Sequence, residues 1–197
     1  MLRLANPVRH YPWGSTDALP GLLGLPPDGR PCAEIWVGAH PAAPSVVLDP
    51  PGRDGAPGTA APLDVLVREH APGLLGARVR DRFGDRLPYL VKLLAAVRPL
   101  SLQVHPGAER ARRRHAEEVA AGVPAAERRY PDPWHKPELL VALAPTLALA
   151  GLREPDEAAD LLERLPAHGG EALVDVVAAL RAPGPAEDRL RRGLRRV

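Results

Sequence analysis

Leu100-Ser101-Leu102-Gln103-Val104-His105-Pro106 alternates apolar and polar side chains along its length. On a strand, positions i, i+2 and i+4 share a face, so Ser101, Gln103 and His105 are expected to project together while Leu100, Leu102 and Val104 point the other way. Arg98-Pro99 separates this run from an apolar run over 87–97, and both short lengths favour strands. A solvated strand face is the plainer reading of such alternation. Taken alone it decides nothing about chemistry.

Working outward, the next dense polar stretch is Tyr130-Pro131-Asp132-Pro133-Trp134-His135-Lys136-Pro137-Glu138, which gathers acid, imidazole, ammonium and aromatic groups. By itself it reads equally as a surface loop with solvated charges. Read together, the two stretches offer one nitrogen and two oxygen donors, from His105, Gln103 and Glu138. That set suits zinc if a fourth ligand or a water completes the shell. Glutamine is neutral, so it would leave more positive charge on the metal than a carboxylate, favouring an open Lewis-acid site over a structural one.

Around these stretches the chain divides by character. Residues 33–38 (Ala-Glu-Ile-Trp-Val-Gly) and 45–48 (Ser-Val-Val-Leu) read as strands. The Pro/Gly-rich segment 50–62 reads as loop, 62–69 as a short helix opened by Pro62, and 107–121 as a solvated helix. Residues 138–150 read as short strands around Pro145. From Glu154 the pattern turns helical, with helices expected from Pro155 through Leu165, from Gly170 through Arg181, and over 185–197. Strands followed by helices imply a β region over 1–153 with a helical domain over 154–197. No glycine caps the last helix and Leu190 and Leu194 continue the apolar repeat, so the helical domain is expected to be partial.

Composition narrows the class. The chain has 197 residues, 45% of them hydrophobic and 25% charged, enough for a packed core without disulfides. Cys32 is the single cysteine, which excludes a disulfide framework and a multi-cysteine zinc site and fits a reducing compartment, the cytoplasm. No apolar run reaches the length of a membrane span, and the first residues lack a signal-like apolar core, so neither membrane insertion nor secretion is expected. Net charge is +2, and the basic residues are nearly all arginine; the lysines are Lys92 and Lys136. In so arginine-rich a chain a retained lysine is informative, because a site needing an ammonium cannot always use a guanidinium fork.

The two stretches resemble the two signatures of type I, zinc-dependent mannose-6-phosphate isomerases: Leu-Ser-Leu-Gln-Val-His-Pro at 100–106 and Tyr-x-Asp-x-x-His-Lys-Pro-Glu at 130–138. Tyr11-Pro12-Trp13-Gly14-Ser15, Ala33 through Pro41 with Ser45, Leu87 through Leu94, and Leu149 through Arg153 are similar to that family in the same order. Within the second signature the family usually has Asn before His-Lys-Pro-Glu, and this chain has Trp134, which alters local hydrogen bonding rather than the metal donors.

The resemblance implies a mainly β fold, an incomplete cupin-type double-stranded β-helix followed by the start of a helical domain. It implies one Zn2+ per chain held by Gln103, His105 and Glu138, with a fourth ligand, a histidine, expected from a distal half. The implied activity interconverts mannose 6-phosphate and fructose 6-phosphate through an enediol, in an enzyme that is monomeric when full length. Its partner is a small phosphorylated sugar, with no nucleic acid or membrane involved. Lys136 and Glu34 are the candidates for the catalytic base, and Lys136 is alternatively a phosphate ligand; like-charge repulsion near a dication makes an ammonium a better base near neutral pH. Ser101 is a candidate substrate contact or a structural hydroxyl. Trp13 and Trp36 read as core or pocket wall, and His10, His40 and His115 as structural or solvated.

Two other classes compete. One is a metal-binding cupin module without turnover. The other takes the arginines of 189–196 as a nucleic-acid contact, which lacks the interleaved aromatics such surfaces use.

Overall fold

Glu34–Gly38 forms the central strand, β3, of a small antiparallel sheet, flanked by Val8–Arg9 (β2) and Leu90–Leu94 (β6) in the order β2-β3-β6. The computed structural model describes residues 2–50, 58–101, 103–165 and 170–196, and the side chains within these except 170–172. Leu102 and the middle of the 50–62 loop, residues 51–57, lie outside the described residues. The register sets Ile35 opposite Leu93 and Trp36 opposite Lys92, so alternate residues of β3 serve different faces. Ile35 packs with Leu19 and Cys32, against Leu93 and Ala95. Leu19 comes from the short helix α1 (Ala18–Leu22).

A second antiparallel sheet joins Leu4–Ala5 (β1), Val46–Val47 (β4) and Ala61–Pro62 (β5) in the order β1-β4-β5. Val47 is wholly buried against Leu63 and Val67 of α2 (Leu63–Glu69). Burying such a side chain is worth roughly 1.5–3 kcal/mol, and it ties the sheet to the helix. Pro62 stands just before α2 with extended backbone, one position earlier than the first helical turn expected of it. Ser45 closes the β3–β4 turn: its buried hydroxyl donates to Asn6 Oδ1 (2.8 Å) and accepts from Gly38 N–H (3.0 Å). Gly14 is required where its segment crosses the chain at Ala33, since a Cβ there would lie 2.6 Å from the Ala33 backbone.

Two helices complete the first part. α3 (Ala71–Phe83) bends at Gly76, where φ is 70°, and α4 (Ala108–Ala120) occupies the stretch read as a solvated helix, burying Ala111. The chain then separates into two compact units, Met1–His135 and Lys136–Val197. Residues 136–153, placed with the β region on sequence grounds, cluster with the helices.

The second unit holds α5 (Pro155–Glu163), α6 (Gly170–Arg181) and α7 (Ala186–Leu194), close to the three spans expected. Ala159, Val176 and Leu180 form its core, and Leu190 packs against them, so these helices do find partners in one another. Arg181 bonds Asp160 and Glu163, Arg189 bonds Asp156, Arg191 bonds Glu187, and Arg196 pairs with Asp175. The basic tail proposed for nucleic acid thus has much of its charge matched within its own unit.

The mainly β expectation is not met: among the described residues helix accounts for about 38% and strand for about 12%. Two causes are local. Among the described residues, neither 99–105 nor 138–150 forms a strand, although both were read as strands. Alternation becomes an inward and an outward face only when a ladder fixes the backbone and one side is covered. Here Val104 is 82% exposed beside exposed Gln103 and His105, and Leu139 is 90% exposed. The third cause is α3, which the sequence reading did not place.

Candidate functional site

The face of the β2-β3-β6 sheet opposite Ile35 carries charge. Glu34 is only 5% exposed, and its Oε2 accepts a hydrogen bond from Trp36 Nε1 at 2.5 Å. Lys92 Nζ lies 3.8 Å from the same oxygen and 4.7 Å from the centre of the Trp36 ring. Arg9, opposite Glu34 in the ladder, stacks its guanidinium 5.3 Å from the Trp36 ring and 5.5 Å from Tyr11, which stacks in turn on Trp13. His40 meets Trp36 edge-on at 5.0 Å. A buried carboxylate that accepts from an indole N–H and lies beside the Lys92 ammonium is electrostatically satisfied, as burial demands.

Trp36 is therefore buried wall, as expected, and His10 and His115 hold structure: His10 Nδ1 bonds Pro31 O (2.7 Å) and His115 Nδ1 bonds Tyr130 O (2.8 Å). Glu34, one of the two candidate bases, is engaged with Trp36 and Lys92. Lys92, which the sequence reading did not single out, joins Glu34 and Trp36 on this face. The signal that could have found it was the same one that drew attention to Lys136, its survival in an arginine-rich chain.

Ser101, Gln103 and His105 are exposed and follow β6 in sequence, none of them in a strand. The loop of the second signature is anchored at its start on α4: Tyr130 N–H donates to Glu118 Oε2 (3.0 Å), and Arg110 Nε donates to the Tyr130 hydroxyl (3.3 Å). The Arg110 contact holds the Tyr130 phenol below its ordinary pKa. At its far end Trp134 N–H donates to Asp132 Oδ1 (3.0 Å), and the Arg86 guanidinium lies 3.7 Å from the Trp134 ring centre. Burial lowers the pKa of Arg86 and the Asp132 carboxylate opposes that shift; the group stays charged.

Lys136 and Glu138 open the second unit, Lys136 partly covered and Glu138 exposed. Among the described residues no three His, Cys, Asp or Glu side chains are gathered as a metal cluster. The proposed donor set contains only two residues of those kinds and depends on the Gln103 amide for its third. Its chemistry, one imidazole and two oxygen donors, fits zinc.

Comparison with known proteins gives the family. The model for "Phosphomannose isomerase type I, catalytic domain" matches residues 1–155. The chain belongs to that family. Among relatives, the mannose-6-phosphate isomerase of Escherichia coli K12 is 45% identical over 166 residues, 83% of this chain and 41% of that protein. The human mannose-6-phosphate isomerase is 32% identical over 176 residues, 83% of this chain and 37% of that one. The crystal structure of the Salmonella typhimurium mannose 6-phosphate isomerase bound to its substrate fructose 6-phosphate and zinc superposes with a TM-score of 0.71 at 35% identity, covering 100% of this chain and 51% of the other. The chain thus spans about half the length, or less, of the relatives it matches.

Proposed function

We propose that this chain is the ligand-bearing amino-terminal part of a zinc-dependent aldose–ketose isomerase acting on mannose 6-phosphate and fructose 6-phosphate. The observation that carries the reading is the family match across 1–155, which spans both signature stretches intact in their donor residues Gln103, His105 and Glu138. An incomplete cupin, in which the strand-like stretches 99–105 and 138–150 take strand partners from sequence outside these 197 residues, accounts for the low strand content. In this reading 1–153 is the catalytic region, 154–197 is part of a helical domain, and the fourth metal ligand lies beyond the 197 residues.

The reaction moves one proton between C2 of the aldose and C1 of the ketose through an enediol, while a hydroxyl proton passes between O1 and O2; no redox partner is needed. Zinc, when bound, supplies Lewis-acid polarisation of the sugar oxygens. Lys136 is the favoured base, because the Glu34 carboxylate is held by Trp36 and Lys92. Glu34 instead holds Lys92 and the Trp36 wall in place. Ser101, beside the donor pair, contacts the sugar. Cytoplasmic operation as a monomer completes the proposal; the single reduced cysteine supports the compartment, and no helix among the described residues is long and apolar enough to cross a membrane.

The test is zinc content and isomerase activity, on this chain and on a protein extended through the distal half. Zinc-dependent turnover in the extended form that disappears in Gln103→Ala and Glu138→Ala supports the isomerase. Zinc bound in both forms with turnover in neither favours the non-catalytic metal-binding cupin module.

A further inference from the structure

α4 carries Arg110 and Arg114 four residues apart, so their side chains leave the same face of the helix. Tyr130 is held against α4 by its main chain. Its N–H donates to Glu118 Oε2 (3.0 Å) and its carbonyl accepts from His115 Nδ1 (2.8 Å). The phenol oxygen then accepts from Arg110 Nε (3.3 Å). The Arg110 hydrogen bond foremost, and Arg114 with it, draws the phenol pKa below its ordinary value. Negative charge on an oxygen is therefore favoured at this spot, and the phenol acts as a gauge of the local potential. All of these residues belong to the Met1–His135 unit.

The nearby acids do not cancel that potential. Glu117 bonds Arg114 (2.7 Å) and lies 3.7 Å from Arg113, so one carboxylate serves two guanidinia. Glu118 is engaged by the Tyr130 N–H. Arg110 has the neutral phenol as its acceptor and pairs with no carboxylate among the described residues. Like charges at this helical spacing repel each other, and an anion between them would remove the repulsion.

We propose that Arg110, Arg114 and the Tyr130 hydroxyl form an oxyanion site that takes a phosphate group, as the free ion or as the terminal phosphoryl of a small phosphorylated compound. Arg110 meets the phenol through Nε, so its two Nη groups remain for the anion. A planar guanidinium presents paired N–H donors that match phosphate oxygens. The phenol O–H is free to rotate its proton toward a third oxygen. The site does not depend on the metal reading of Gln103, His105 and Glu138 and stands whether or not they bind zinc.

The experiment titrates this chain with inorganic phosphate and, separately, with glucose 6-phosphate, by calorimetry and by thermal melting, at constant ionic strength set with sodium chloride. Phosphate is expected to bind saturably and to raise the melting temperature. Arg110→Ala and Arg114→Ala should each weaken binding about tenfold and Tyr130→Phe about fivefold. Arg110→Lys should recover only part of the loss, because an ammonium lacks the paired donors. Arg112→Ala, two residues from both arginines and so off their face, should bind as the unchanged protein does. Binding of both ligands assigns the site to a phosphoryl group, and binding of the free ion alone restricts it to that ion; either supports the site. Should an alanine variant fail to fold by circular dichroism, Arg110→Lys and Tyr130→Phe carry the same comparison. A response that chloride reproduces at equal ionic strength, or one that Arg112→Ala reduces as much as Arg110→Ala does, means diffuse attraction to a basic surface and overturns the proposal.

Discussion

Lys92 and Glu34 sit on neighbouring antiparallel strands with Nζ 3.8 Å from Oε2, and both lie against Trp36, whose indole N–H donates to that same carboxylate oxygen. Glu34 therefore joins a sheet ladder to an aromatic wall from a buried position.

Removing the carboxylate leaves the buried Trp36 indole N–H and the partly exposed Lys92 ammonium without their acceptor. Glu34→Ala is expected to destabilise the protein by about 1–3 kcal/mol, because the Trp36 N–H and the Lys92 ammonium both lose a partner. Glu34→Gln keeps an acceptor for the indole and should lose less. Urea unfolding of the three proteins checks the order; equal midpoints would remove Glu34 from the stability of this face.

Gly14→Ala should cost more than about 2 kcal/mol, because its Cβ would sit 2.6 Å from the Ala33 backbone, a contact that requires the chain to shift. Gly73→Ala, in α3 with open space around it, is the control and should be neutral or mildly stabilising. Thermal melting of both variants gives the comparison, and similar melting temperatures would contradict the close crossing.

Acid sensitivity of the helical unit should involve Asp156. Its hydrogen bond to Arg189, aided by Arg181, holds its pKa below the ordinary carboxylate value. A lowered folded pKa gives stability that is fully present above the unfolded value of about 3.9 and is lost as pH falls through the folded value. The stability gap between the unchanged protein and Asp156→Asn should accordingly be constant above about pH 5 and close below about pH 4. Unfolding measured at several pH values would show it, and a gap that persists at low pH would contradict the linkage.

Cys32 is buried, and burial pushes its thiol pKa up. A disulfide reagent at neutral pH should react with it slowly in the folded protein and quickly in urea. Rapid reaction without denaturant would mean that the core around Leu19 and Ile35 opens readily.

On a protein that includes the distal half, Lys136→Ala should lower kcat by about 100-fold or more if Lys136 is the base. Lys136→Arg should then fail to restore it, since a guanidinium does not give up its proton near neutral pH. A raised KM that Lys136→Arg does restore would make Lys136 a phosphate ligand instead.

The candidate site residues are legible in the sequence as types and spacings. Gln103, His105, Lys136 and Glu138 can be picked out by their signatures, and Gly14 and Ser45 lie within stretches that also resemble the family. Arg86 carried no signal, because one arginine among many looks like solvated charge until its ring partner is known. Lys92 carried a weak signal in its rarity, but nothing local pointed to Glu34, which lies far away in sequence.

The amino-acid sequence by itself determined most of the helices, though not α1 or α3, and the family. α2, α4, α5, α6 and α7 fall close to where composition and prolines put them, because a helix closes its hydrogen bonds within its own segment. β3, β4 and β6 also fall within stretches whose composition reads as strand, but tertiary structure decided the pairings and which of the other strand-like stretches became strands. Among the described residues, 99–105 and 138–150 have the composition of strands and form none, while Leu90–Leu94 becomes one because β3 lies beside it. A strand's backbone groups are satisfied only by another segment distant in sequence, so whether a strand-like stretch becomes a strand is settled by what the rest of the chain brings alongside.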